Sequence, residues 1–164
     1  MITLPSKEAV YKMLEEVMDP EIPVLSVVDL GMITDVEVLE DEVRVKMIPT
    51  FAACPAVNYI QTNIKRALEE RLEVPVSVTI DKSVNWSSSR MTAAAKEKLK
   101  NYGIAPPPKE QAADPLMLIA QEVPCPHCGS KQTYLRSPFG ATLCRALHYC
   151  KECGQVFEQF KPLD

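Results

Sequence analysis

The sequence predicts a small α/β (α+β) sandwich followed by a compact cysteine-rich module. Helix-like and strand-like hydrophobic patterns alternate through residues 1–104. A proline-rich stretch over residues 105–121 is typical of a semi-rigid extended linker, because proline fixes φ and removes backbone donors. Five of the six cysteines then fall within residues 122–164. These three segments are the predicted domains.

The first domain is predicted to have the element order α-β-β-α-β-α, which fits a two-layer sandwich of about 100 residues. Ser6 is a plausible N-cap for a first helix, and Asp19-Pro20 would end it. Residues 33–39 and 43–48 alternate apolar and polar side chains around a short polar turn, which predicts a hairpin. The first helix is indicated by apolar residues at helical spacing: Val10, Met13, Leu14 and Val17.

The remaining elements follow the same logic. A helical pattern returns from Pro55, and the β-branched run at residues 74–80 predicts a third strand. A last short helix is expected over residues 93–102, ended by Gly103. Trp86, the only tryptophan, lies in a polar, exposed-looking loop, where it is either a core residue or a partner contact.

Composition sets the broad class. The chain has 164 residues, is 46% hydrophobic and carries a net charge of −4, so it can build a packed core. No apolar run approaches the roughly 18 to 20 residues of a membrane span, and the N-terminus lacks the basic start of a signal peptide. We therefore expect a soluble cytoplasmic protein with no membrane partner. The mild acidity also argues against a nucleic-acid partner.

Two C-x-x-C-G knuckles separated by 21 residues carry the strongest chemical signal. Paired knuckles of this kind are typical of a tetrahedral four-cysteine zinc site, and a β-hairpin between them would accommodate the gap. Such a zinc ribbon would be structural, because four protein ligands leave no open position for chemistry. A module of about 40 residues also needs such a metal to fold. The predicted ligands are Cys125, Cys128, Cys150 and Cys153.

A fifth thiol in the module leaves the ligand choice partly open. Cys144 is either a small buried hydrophobe beside the site or a functional thiol. With Cys150 and Cys153 it forms a C-x5-C-x2-C run, close to a plant-type iron–sulfur spacing, so iron in place of zinc stays an alternative. A disulfide framework or a redox-active pair is disfavoured by the two knuckles together. His127 and His148 are expected to be exposed rather than ligating.

Cys54 stands apart from the other thiols. It is expected at the junction between a strand and a helix whose first position is Pro55, where the helix dipole would favour a thiolate. From the residues alone, a buried structural role and a soft-metal or sulfur-transfer role are evenly balanced. Upstream, Asp19, Glu21 and Asp29 add carboxylates around fixed turns, for which capping is the simpler interpretation.

Several of these motifs resemble known families. Three segments resemble the domain of iron–sulfur assembly factors of the SufT and cytosolic targeting type. These segments are Asp19-Pro-Glu-Ile-Pro23, Val28-Asp-Leu-Gly-Met-Ile33 and Cys54-Pro-Ala56. That resemblance continues through Trp86 to the segment at 99–107. Both halves together are similar to the PaaD (PaaJ) family of bacterial phenylacetate degradation, through the segments 125–130, 137–147 and 157–163.

The resemblance to PaaD implies an accessory role in the 1,2-epoxidation of phenylacetyl-CoA. That multicomponent monooxygenase has a di-iron catalytic subunit and a reductase with flavin and an iron–sulfur cluster. The chain would be a non-catalytic maturation protein for these centres, docking on the catalytic or reductase subunit and holding iron or a cluster transiently. Cys54 matches the reactive position of the family, with a supporting loop formed by Asp19, Glu21, Asp29 and Thr50.

The sequence departs from its relatives in two places, and alternatives stay open. Ala53 stands where glycine is common, and residues 85–89 are less acidic than in relatives. A general iron–sulfur assembly or carrier protein is the main alternative. A nucleic-acid-binding ribbon is disfavoured by its neutral charge, and an enzyme by the lack of a paired Glu-x-x-His or nucleotide-binding glycine motif. Homodimerisation is left open.

Overall fold

The computed structural model describes residues 3–50, 56–107, 122–140 and 145–160. The chain forms two compact units, Met1–Trp86 and Ser87–Asp164. The helix predicted at residues 93–102 falls in the second of these units. The three domain limits inferred from the sequence stay a prediction.

The first unit is a mixed sheet with two helices, as the sequence predicts. The order of its sheet is β1-β2-β3. The pairing of β1 with β2 is antiparallel, which confirms the hairpin, and the pairing of β2 with β3 is parallel. Its elements are α1 (Lys7–Leu14), β1 (Ile33–Val38), β2 (Val43–Met47), α2 (Val57–Leu72) and β3 (Val76–Ile80).

The start of α1 follows the prediction, but its end does not. The Ser6 side chain accepts a hydrogen bond from the Ala9 backbone N–H at 3.1 Å, so the predicted N-cap is confirmed. The helix ends at Leu14, well before Asp19-Pro20. Val17 is buried beyond the helix, and its backbone carbonyl accepts a hydrogen bond from the N–H of Val27 at 2.9 Å.

The helices and the sheet share one apolar core. Along β2 the side chains alternate strictly between buried and exposed, as expected for a strand with one face covered. The two helices contribute buried side chains at intervals of four residues, which places each set on one face. The core formed in this way contains Val10, Leu14, Val36, Val43, Val45, Met47, Ile60, Ile64, Leu68 and Val76.

Trp86 is a core residue of the first unit. Its side chain is only 6% exposed, and its indole Nε1–H donates to the carbonyl oxygen of Leu30 at 2.7 Å. The polar residues around it suggested an exposed loop, so the structure decides between the two interpretations left open by the sequence. A buried indole finds a partner for its single donor, and here that partner is a loop carbonyl.

The second unit has a four-stranded sheet of order β4-β7-β6-β5. Helix α3 follows the sequence prediction, with Thr92 as N-cap and Gly103 at φ +100° as the left-handed C-cap. Strand β4 was not predicted, since it is short and runs directly into Pro106. The elements are a 3-10 turn (Ser88–Arg90), α3 (Ala93–Tyr102), β4 (Ile104–Ala105), β5 (Thr133–Ser137), β6 (Arg145–Cys150) and β7 (Val156–Phe160).

Within the described segments, α1, α2 and α3 are each too short or too polar to cross a lipid bilayer.

The C-terminus of α2 offers a stability test. Glu73 caps this helix with φ +55°, a left-handed conformation that disfavours any residue with a Cβ. Replacing Glu73 with Gly is expected to raise the free energy of unfolding by about 0.5–1 kcal/mol, measured by urea denaturation. The matched change Glu70→Gly, at an exposed position inside the same helix, should lower it by about 1 kcal/mol. The same sign for both variants would contradict the assignment of the cap.

Candidate metal centre

Four cysteines of the second unit converge on one point. Their Sγ atoms all lie within 4.8 Å of one another. The distance between the sulfurs of Cys125 and Cys153 is 3.8 Å, and that between Cys128 and Cys150 is 3.6 Å. Both are far longer than the roughly 2.05 Å of a disulfide bond. The four residues predicted as ligands are therefore brought together as free thiols.

The two knuckles have the same backbone geometry. In the first, Gly129 N–H donates to the Cys125 carbonyl at 2.8 Å; in the second, Gly154 N–H donates to the Cys150 carbonyl at 2.9 Å. The two glycines have φ of +77° and +72°, which explains why glycine follows each C-x-x-C pair. The backbone N–H of each first cysteine also donates to a carbonyl five residues ahead, Ser130 or Gln155. Two equivalent turns thus present two sulfurs each.

The hairpin between the knuckles sets their separation. Strands β5 and β6 pair antiparallel, and Thr133 lies opposite Cys150. Because β6 ends at Cys150, the second knuckle starts where the strand stops. One cysteine of each knuckle is buried in the small core of the unit, whereas the other two are exposed. That core consists of Ala105, Val123, Cys125, Cys150 and Phe157.

Backbone N–H groups, burial and neighbouring thiols shift the pKa values of Cys128, Cys150 and Cys153. The backbone N–H of Cys153 lowers the pKa of Cys150 to about 7. The N–H of Ser130 lowers the pKa of Cys128, but desolvation and the neighbouring thiols outweigh it and raise the value to about 12. The pKa of Cys153 is also raised, by desolvation and by Cys150, against the N–H of Gln155. Four thiolates at this spacing repel one another and need a cation among them.

A tetrahedral metal fits this arrangement. For Zn–S bonds of about 2.3 Å, the sulfurs of a regular tetrahedron lie about 3.8 Å apart. The two short Sγ–Sγ distances of 3.6 and 3.8 Å match this edge. Such an ion would be held by Cys125, Cys128, Cys150 and Cys153, and it would cross-link the two knuckles.

One buried polar pair beside this site was missed by the sequence analysis. His148 is 1% exposed, so the expectation that it is exposed was wrong. Its Nε2 lies 2.8 Å from Oε1 of Gln159, and its ring stacks on Phe157. Burial lowers the pKa of His148, while the contact with Gln159 opposes the shift. The sequence pattern that could have revealed this burial is the two-residue repeat of a strand, which places His148 on the same face as Cys150.

The acidic residues of the first unit shape a loop. Asp19 Oδ1 accepts from the backbone N–H groups of Glu21 and Ile22 at 2.8 and 3.0 Å. Asp29 and Ser26 form a reciprocal pair, in which each side chain accepts from the backbone N–H of the other residue. These bonds are turn and capping contacts, in agreement with the simpler interpretation of the sequence. The roles of Asp19, Glu21 and Asp29 around a functional thiol stay a prediction.

The remaining predicted site residues lie at the end of a described segment or outside the described residues. Thr50 is half-buried and is the last described residue after β2. Cys54 and Cys144 lie outside the described residues. Helix α2 begins at Val57, two residues after the predicted first position, and its N-cap Ala56 makes no side-chain capping bond. The assignment of Cys54 as a functional thiol therefore stays a prediction.

Comparison with known proteins gives the family. The PaaD zinc beta ribbon domain matches residues 110–161, and the iron–sulfur cluster assembly protein family matches residues 7–81. A protein of Escherichia coli (strain K12), provisionally named as a component of 1,2-phenylacetyl-CoA epoxidase, is 36% identical over 98% of this chain and 95% of its own length. The chain belongs to the PaaD family.

Other relatives match between half and two thirds of this PaaD-family protein. An Fe-S protein maturation auxiliary factor of Porphyromonas gingivalis is 35% identical over 58% of the chain and 92% of its own length. The crystal structure of a domain of unknown function, DUF59, from Bacillus anthracis superposes with a TM-score of 0.53 and is 31% identical. It covers 57% of this chain and 90% of that one. The chain therefore shares its fold over this part with the DUF59 domain, and residues 7–81 match the iron–sulfur cluster assembly protein family.

The glycine of the first knuckle gives a test of the metal centre. Replacing Gly129 with Ala places a Cβ at φ +77° with no atom within 4 Å, so backbone strain is the only penalty. We expect metal affinity to fall about tenfold, as measured by competition with a chromogenic chelator. Gly129→Asn should recover part of the loss, because asparagine tolerates the left-handed region. Equal affinity in all three proteins would contradict the geometry of the knuckle.

Proposed function

We propose that the four-cysteine centre holds one structural Zn²⁺. The support is the closed set of four thiolates, two of them buried in the core of the unit, at the spacing of a tetrahedron. Metal analysis of protein purified without oxygen should give about one zinc per chain. Iron at that stoichiometry, or retention of zinc after both knuckles are removed, would overturn this assignment.

We further propose that the chain is an accessory protein for maturation of the metal centres of phenylacetyl-CoA epoxidase. The observation that carries this proposal is the 36% identity with the epoxidase-named relative along 98% of the chain, across both units. The relative named as an Fe-S maturation factor aligns with only 58% of the chain. The ribbon therefore distinguishes this chain from a general iron–sulfur maturation factor. In this proposal the ribbon docks on the epoxidase subunit whose metal centre is matured, which is the client.

The functional thiol in this proposal is Cys54. It lies in the sequence between the end of β2 at Met47 and the start of α2 at Val57. A thiol near the start of a helix experiences the positive end of the dipole, which favours the thiolate that binds iron. Iron or a cluster is cargo in this scheme, passed to the client, and the protein itself remains non-catalytic.

The test is the metal content of the client. The epoxidase components would be expressed together with the wild-type chain, with Cys54→Ser or with no accessory protein, and then purified for iron and acid-labile sulfide analysis. We expect Cys54→Ser to resemble the absence of the chain. Cys144→Ser serves as the matched thiol control and should leave iron and sulfide at wild-type levels. Full iron and sulfide content with Cys54→Ser would reject the proposed mechanism.

A general iron–sulfur carrier is the second candidate, favoured by the family match at residues 7–81. The two functions differ in their range of clients. A specific accessory protein should raise iron content only in the epoxidase components, whereas a general carrier should also raise it in an unrelated iron–sulfur protein expressed in the same cells. Removal of the ribbon cysteines should abolish only the specific effect.

A further inference from the structure

The second unit has a cavity of ≈ 330 Å³ whose described lining contains no cysteine. This volume is at the lower end of the range of about 300–1,000 Å³ found for small-molecule pockets. Its wall is mostly apolar, with a few polar side chains. The apolar lining comes from Ala105, Pro106, Pro107, Val123, Pro124 and Pro126.

Gln159 in this lining has an unused donor. Its side chain is 1% exposed, and its Nε2 has no hydrogen-bond partner within the described residues. In this orientation of the amide, Oε1 lies 2.8 Å from Nε2 of His148. A buried donor without a partner is rare in native proteins because its desolvation is not compensated. A ligand oxygen in the cavity would satisfy it.

The charges around the cavity indicate which ligand fits. Lys96 and Lys100 lie four residues apart, on one face of α3, and both line the cavity. Neither forms an ion pair among the described residues. Glu122 is the only acidic residue of the described lining, so cations outnumber anions by two to one. The site therefore combines an apolar wall, two cations and one buried N–H donor, which together suit a carboxylate with an apolar body.

We propose that this cavity binds a small carboxylic acid with an apolar chain. The carboxylate would accept from the two lysines and from Gln159 Nε2, while the chain packs against the proline-rich wall. The volume favours a free small molecule over a folded partner. Nothing in this proposal depends on Cys54 or on the identity of the metal, so it stands independently of the maturation function.

The experiment uses the full chain with its metal bound and three six-carbon probes: hexanoate, hexanol and hexylamine. Binding is followed by NMR through the side-chain amide of Gln159 and the backbone amides of the lining. We expect saturable shifts with hexanoate and at least about fivefold weaker binding of hexanol and hexylamine. Equal binding of hexanol, or no shift with hexanoate at about 10 mM, would overturn the proposal.

Substitutions of the lysines and of Gln159 then test which side chains bind the carboxylate. The double change Lys96→Gln with Lys100→Gln is on the surface of α3 and should weaken hexanoate binding at least about fivefold. Lys98→Gln removes a charge from the same helix outside the lining and should leave the affinity unchanged. Gln159→Leu removes the buried donor and should reduce the preference for hexanoate over hexanol, while the two lysines retain part of it. Equal losses in the Lys98 and double variants would reject the site.

Discussion

Replacing Cys150 with Ser is expected to remove the metal and unfold the second sheet. Cys150 is fully buried and is the last residue of β6. Its Sγ lies 3.6 Å from the Sγ of Cys128, so Cys150 links the hairpin to both knuckles. Structural zinc contributes about 10–16 kcal/mol of binding free energy in small zinc modules, which exceeds the total stability of most small domains. Metal per chain should fall from about one to near zero, and β-sheet amide signals of the unit should collapse.

The control for Cys150 is another thiol of the same module. Cys144→Ser should retain the metal, because the described sulfurs already form a complete set of four. Emission from Trp86 should stay unchanged in Cys150→Ser, since the indole and its partner Leu30 both belong to the first unit. Full metal content in Cys150→Ser, or loss of metal in Cys144→Ser, would contradict the assigned ligand set.

Replacing Trp86 with Ala is expected to destabilise the first unit by about 3–5 kcal/mol. The change leaves a large cavity and removes the donor that pairs with the Leu30 carbonyl at 2.7 Å. A loss of this size is a large fraction of the roughly 5–15 kcal/mol typical of a domain. Urea denaturation followed by far-UV circular dichroism measures the change, since the variant has no tryptophan to report on.

A conservative variant separates packing from hydrogen bonding at this position. Trp86→Phe keeps most of the apolar volume but lacks the N–H, so it should lose about 1–3 kcal/mol. The metal content of both variants should match the wild type, because the four ligands lie in the second unit. If the free energy of unfolding of both variants lay within about 0.5 kcal/mol of the wild-type value, Trp86 would not be a core residue.

Local patterns in the sequence were enough for most secondary structure. The N-cap at Ser6, the β1–β2 hairpin and helix α3 with Gly103 as its cap all follow from contacts between residues close in the chain. The end of α1 could not be predicted in this way. Beyond Leu14 the chain makes a contact between distant residues instead, since the Val17 carbonyl accepts from the Val27 N–H ten residues further on.

The four metal ligands could be identified without coordinates, whereas the buried polar groups could not. Each C-x-x-C-G motif forms a turn that presents one pair of thiols. The turn needs a glycine with positive φ, and this requirement can be recognised within five residues of sequence. The burial of Trp86, His148 and Gln159 has a different origin. Trp86 stands among polar residues and the other two side chains are themselves polar, yet all three are buried in the folded chain. Trp86 lies outside the helices and strands, so packing of this kind leaves no periodic signal at its position, whereas the two-residue repeat of β6 was a local signal for the burial of His148.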